Sequence, residues 1–227
     1  MTDHREPSPF NTLPPVVIVL ALVMIVVEAA FLAAENGILG GRDGIGWRAS
    51  AIEDYAFFGQ VVDLMVERRQ IFAAHLHRFV TYPFVHTSFT GMIFAGVFLL
   101  AMGKFVGEVF RGWAVLVVFF TSAIGGALAY GLILNDPRPL TGGFPAVYGL
   151  IGAYSYILWL VAGAQGESQL GAFRLIAMLM GIQLLFTAIF GGSNDWVADL
   201  GGFVSGFGVS FFVSPGGWAR LMERTRR

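Results

Sequence analysis

The sequence predicts an all-α integral membrane protein: a six-transmembrane-helix bundle in one domain, with a long, partly helical interfacial first loop. Three observations carry that expectation. Of 227 residues, 56% are hydrophobic and 13% charged, far more apolar than a soluble domain requires. Apolar segments at 15–34, 83–102, 113–134, 146–164, 172–190 and 196–213 are each long enough to cross roughly 30 Å of hydrocarbon as a helix. Several of the 30 glycines fall inside those segments, where small residues let helices approach closely. The expected divisions are a polar leader at 1–14, the membrane domain at 15–213 and a short basic tail at 214–227.

The leader, MTDHREPSPFNTLPP, is polar and proline-bearing and is expected outside the bundle. The first span carries Glu28, and a carboxylate at that depth should face the protein interior, hydrogen-bond another helix or snorkel to the headgroups. In the stretch from 35 to 86, IEDYAFFGQVVDLMV has apolar residues at helical spacing (Ile52, Tyr55, Ala56, Val62) with Glu53, Asp54 and Asp63 on another face. That pattern predicts an amphipathic helix in the membrane interface, with Trp47 at headgroup level. Later spans are punctuated by glycine. Gly202 and Gly206 share a helix face, and with Gly149 and Gly152 they predict contact between the fourth and sixth spans.

With both termini inside, the cytoplasmic loops and ends hold eight Lys/Arg, from Arg5, Lys104, Arg111 and Arg174 to the C-terminal arginines, and the outside holds six, five of them in the long first loop. The expected location is therefore a plasma membrane (a bacterial inner membrane) with both ends cytoplasmic. A net charge of −1 leaves no basic surface for nucleic acid, so none is expected as a partner. The absence of cysteine excludes disulfides, thiolate nucleophiles and Cys-bound metal. His75 and His77, with His86, lack a clear fourth ligand, so no metal and no cofactor is expected.

Four stretches, RFVTYPFVH (78–86), KFVGEVFRGW (104–113), GGFPAVYGLIGA (142–153) and ADLGGFVSG (198–206), together resemble the rhomboid family of intramembrane serine proteases, in order and spacing. The resemblance implies a six-helix core with a long first loop. Arg78, Glu108, Gly142, Tyr148, Gly149, Gly202 and Gly206 match the family's structural positions. In active members a serine on the fourth helix attacks the scissile carbonyl and a histidine on the sixth takes its proton, as a hydroxyl nucleophile requires. Those positions here are Phe144 and Asp199. Of the family's H-x-x-x-x-H-x-x-x-N on the second helix, HTSFTGMIFA keeps only His86, and the oxyanion-donor positions are Gly91 and Ala95.

A phenyl ring has no lone pair with which to attack a carbonyl. Losing one oxyanion donor costs about 10²- to 10³-fold in rate, and losing the nucleophile of a soluble serine protease about 10⁶-fold. Pro145 suits the first turn of a helix, and Phe144 is expected to act as a plug. The resemblance therefore implies a pseudoprotease that binds transmembrane segments of client proteins within the lipid bilayer.

Two rivals remain. Asp195 and Asp199 lie four apart on one helix face and could serve acid–base chemistry in a hydrolase, alone or with another hydroxyl such as Ser88. Glu28 and Asp199 could instead serve a proton-coupled path. The plainer expectation is that Asp195 caps the sixth helix and that Asp199 hydrogen-bonds Tyr148 or another group inside the bundle. Ser155 is expected to bond its own backbone or a neighbouring helix.

Overall fold

The structure, a computed structural model, describes residues 13–70, 72–134, 136–190 and 193–215. The C-terminal arginines and all of the leader before Leu13 lie outside the described residues. Among the described residues, six helical segments are long and apolar enough to cross a membrane: α1 (Pro15–Glu35), α5 (Phe89–Gly107), α6 (Gly112–Ile133), α7 (Phe144–Gln165), α8 (Arg174–Phe190) together with the 3₁₀ turn Gln169–Phe173 before it, and α9 (Trp196–Val213). The first loop contributes α2 (Trp47–Tyr55), α3 (Gly59–Arg68) and the single turn α4 (Arg78–Thr81). The described residues include no strand, only an isolated antiparallel bridge between Phe57 and Leu140.

The second span begins later than its hydropathy predicts. The apolar run at 83 is a 3₁₀ turn, Tyr82–Phe84, with Pro83 in it, and the helix starts only after Ser88, whose hydroxyl accepts the Gly91 N–H at 3.2 Å. An N-cap satisfies a donor that would otherwise be orphaned at the helix end, so it outweighs the apolar run in setting the boundary. Ser88 is thus a cap.

The expected amphipathic helix at 52–66 is broken in two. Ala56 turns extended, and Phe57 exchanges both backbone hydrogen bonds with Leu140, at 3.1 and 2.8 Å. This non-local bridge overrides the local helical period. It ties the first loop to the α6–α7 connection just ahead of the turn that opens α7. Arg78 fastens the same break, its Nη1 donating to the carbonyls of Glu53 at 2.6 Å and Ala56 at 2.9 Å.

The bundle is built around α7, where 56% of an 18-residue apolar stretch is buried, against 17% in the stretch containing α8. Glycine explains the central position. A Cβ on Gly202 would collide with the Pro145 carbonyl, one on Gly206 with the Gly149 carbonyl, and one on Gly152 with the Phe203 carbonyl. Helices α7 and α9 therefore meet backbone to backbone, as the small-residue spacing predicts. Helix α8 stands at the edge with Ile182, Leu185, Phe186 and Ile189 exposed.

Candidate functional site

Leu140 to Gly143 form the turn entering α7, and Gly142 explains its shape. Its φ of 85° is left-handed, and its N–H donates to the carbonyls of Tyr82 at 3.0 Å and Val85 at 2.8 Å. A side chain there would be strained by its backbone and pressed onto the His86 ring. The next N–H, that of Gly143, donates to His86 Nε2 at 3.3 Å. His86 is 3% exposed, and burial pushes its imidazole down to about 4 from the ordinary 6.5, so the ring is neutral and its Nε2 lone pair can accept. Ala95 is fully buried under the same turn, in the neighbourhood of Met24. The surroundings of Gly143 thus hold two acceptors, the His86 imidazole and the Pro83 carbonyl, beside the apolar carbon of Met24 and Ala95.

Beside this turn lies a cavity of about 400 Å³ between α7, α8 and α9. Phe144, Pro145 and Tyr148 form its α7 wall, and Leu179, Ile182, Gln183 and Phe186 its α8 wall. Ser193, Asp195 and Asp199 close it from the α9 side. Phe144 is half-buried and lines this space without filling it, which corrects the expected plug: with Pro145 seated against α9, the ring is carried to the wall.

The polar chain across the cavity runs through a residue that sequence reasoning missed. Tyr148 Oη donates to Gln183 Oε1 at 3.2 Å, and Gln183 Nε2 donates to Asp199 Oδ2 at 2.8 Å. Tyr148 and Asp199 are therefore linked through the amide. The signal was available: Gln183 is a polar residue in the apolar run LMGIQLLF, and polar groups in a span seek partners. Asp199 is 2% exposed, and its Oδ1 has no hydrogen-bond partner among the described residues.

Asp195 occupies the N-cap position of α9, yet its side chain caps nothing and instead accepts from the Ser193 hydroxyl at 2.5 Å. Its helical φ and ψ (−60°, −20°) replace the extended conformation usual for a capping residue. Burial at the cavity raises its carboxyl above the usual range, opposed by the Ser193 hydroxyl and the Arg138 charge. The two aspartates, both at the cavity, are bonded to different partners, Asp195 to the Ser193 hydroxyl and Asp199 to the Gln183 amide.

A second polar cluster lies where the first loop meets α1. Glu28, 1% exposed, accepts from Arg48 Nη1 at 3.0 Å and Nη2 at 2.8 Å, a bidentate pair. Arg48 also donates to Glu35 at 2.7 Å and to the His86 carbonyl at 2.9 Å, and its guanidinium lies 5.0 Å from the Phe31 ring centre. Glu28 thus neither snorkels nor bonds another span. Its partner comes from α2, a pairing whose only sequence signal is an arginine beside Trp47 in the loop that follows the span.

The remaining expected residues are dispersed. Glu108 is exposed at the C-cap of α5, at the opposite end of that span from Ser88. His77 bonds the Asp54 carbonyl at 3.0 Å and meets Tyr55 edge-on. Among the described residues, no group of three His, Asp or Glu is arranged to hold a metal ion. Ser155 Oγ is buried without a partner, against the expectation of a backbone or interhelical bond.

Residues 73–216 match the family model of the Rhomboid domain, which covers the span from the end of the first loop through α9. The chain belongs to the rhomboid family. No curated protein matches the sequence significantly. In this rhomboid the residues expected at the nucleophile and base positions, Phe144 at the head of α7 and Asp199 on α9, both line the cavity, with Asp199 held on Gln183.

Proposed function

We propose that this rhomboid is a pseudoprotease that binds transmembrane segments of client proteins without cutting them. The observation that carries the reading is the pairing of a retained cavity with replaced chemistry. A space of about 400 Å³ persists at the heads of α7 and α9, while the wall position that would need a hydroxyl holds a phenyl ring. Its imidazole counterpart is a carboxylate bonded to an amide. Gly91 and Ala95 offer no side-chain donor for an oxyanion, and Pro145 removes a backbone N–H from the first turn of α7. The α8 wall is also the least buried span, which suits it to lateral contact with a membrane segment. Both termini are cytoplasmic in this reading, and the cavity opens toward the outer face.

The test is a photo-crosslinker placed at Leu185 or Ile189, exposed positions of α8, in native membranes. Capture of discrete membrane proteins is expected. Capture of lipid alone would count against client binding.

One observation favours a second reading, a hydrolase: the Ser193 hydroxyl donates to the Asp195 carboxylate at the cavity. A covalent serine-hydrolase probe decides between the two. Labelling lost on Ser193→Ala or Asp195→Asn would establish the enzyme.

A further inference from the structure

Asp199 is buried but only half satisfied. Oδ2 accepts from Gln183 at 2.8 Å, and Oδ1 has no partner among the described residues, although a carboxylate offers about four acceptor sites and is costly to bury short of donors. The other groups lining the cavity bring no positive charge. Asp195 is a second carboxylate, Gln183 and Tyr148 are neutral, and Arg138, whose charge reaches Asp195, is held by Asp136 through Nε at 3.1 Å and Nη2 at 2.8 Å. The result is a pocket with acid at its α9 side and walls elsewhere that are mostly hydrocarbon, with the neutral polar groups of Thr141, Tyr148 and Gln183 among them.

The α8 wall of the cavity is open. Ile182 and Phe186 line the cavity and are 48% and 58% exposed, whereas Asp199 is 2% exposed. A group entering beside α8 would meet Ile182 and Phe186 before Asp199.

We propose that the cavity recognises the ammonium or guanidinium group of a lysine or arginine carried by a client's transmembrane segment. The aliphatic stem lies against Phe144, Ile182 and Phe186, and the charged head pairs with the carboxylates of Asp199 and Asp195, which line the same cavity. This rests on the client-binding reading and adds the chemistry by which a client is chosen.

Geometry limits the clients further. Asp199 lies one turn inside α9, about 6 Å along the axis from Asp195 at 1.5 Å per residue, so the basic residue must sit within the outermost turn or two of the client's span. In the orientation proposed above this is the outer face, where lysine and arginine flank ordinary spans less often than on the inner face. The cavity would therefore select a minority of membrane segments.

The test uses the full chain in lipid nanodiscs with a photo-crosslinker at Leu185. Two synthetic 20-residue Leu/Ala-rich membrane peptides are compared, identical except for one lysine or one glutamine four residues from the end on the Asp199 side. Capture of the lysine peptide should exceed that of the glutamine peptide by about tenfold or more, in line with a desolvated charge pair. Asp199→Asn should bring lysine-peptide capture down to the glutamine level. Equal capture of both peptides by the unmodified chain, or a preference that survives Asp199→Asn, overturns the cation inference and leaves client binding standing. Capture of neither peptide above the lipid background overturns client binding, and this proposal with it.

Discussion

A buried charge next to a turn that must hold its shape is the most exposed weakness of this protein at the scale of single residues. Glu28 is 1% exposed and Arg48 13%, so each has given up most of its water for the other. Removing one partner leaves an unpaired charge in a poor solvent, which costs about 3–5 kcal/mol, whereas removing both can be close to neutral. Glu28→Gln should therefore lower the thermal midpoint in detergent strongly, and Glu28→Gln with Arg48→Met should recover much of the loss. Tryptophan fluorescence on heating reads both.

His86 makes a pH prediction of definite sign. Burial depresses its folded-state value to about 4 from 6.5, with Glu28 opposing the shift and Arg48 adding to it. Between those values the unfolded chain binds the proton and the folded one does not, so stability falls as the pH falls. The contribution is fully present above about pH 6.5 and lost as pH drops toward 4, a loss of about 3 kcal/mol at 1.36 kcal/mol per unit. His86→Gln, which can still accept the Gly143 N–H, should flatten that slope. Neither Arg48 nor the role of His86 was legible in the sequence, because both depend on where the first loop returns.

At the scale of elements, the α7–α9 seam governs. Gly202, Gly206 and Gly152 have carbonyl oxygens where a Cβ would go, and backbone cannot move aside as a flexible side chain can. Gly206→Ala should destabilise the bundle by about 1–3 kcal/mol or more, the usual cost of overpacking. Gly208→Ala, two residues along α9 with open space around its Cβ position, is the control and should be tolerated. Thermal unfolding of the two variants side by side separates close packing from helix propensity. This seam was readable from the sequence, since glycine at four-residue spacing has a direct geometric meaning. The start of α5 was not, because Pro83 and Phe84 read as membrane residues, while a capping hydroxyl at Ser88 sets the boundary. The break between α2 and α3 was equally hidden: Phe57 pairs with Leu140, more than eighty residues away, and no local period encodes such a bridge.

For the molecule as a whole, fold and chemistry separate cleanly. The spans, the glycine seam and the membership of the rhomboid family follow from residues that pack, and those residues are present. The proposed loss of proteolysis follows from residues that react, and rests on assigning Phe144, Asp199, Gly91 and Ala95 to the positions where they would be needed. The polar content of the cavity was only half legible. Asp195 and Asp199 were visible as a pair on one face, but Gln183, which fixes Asp199 and Tyr148 together, lies on another helix. Restoring the two positions, Phe144→Ser with Asp199→His, should not restore proteolysis, because the oxyanion donors and the residue after the nucleophile remain replaced. A serine-hydrolase probe on that double variant checks it.

The most direct measurement joins binding and cleavage in one sample. A single-span fluorescent reporter is reconstituted with the chain in proteoliposomes, and its length and its energy transfer to the chain are followed over hours. The account predicts saturable energy transfer from a reporter that stays full length. A reporter cut by the chain, with cutting abolished by Asp199→Asn, would contradict it.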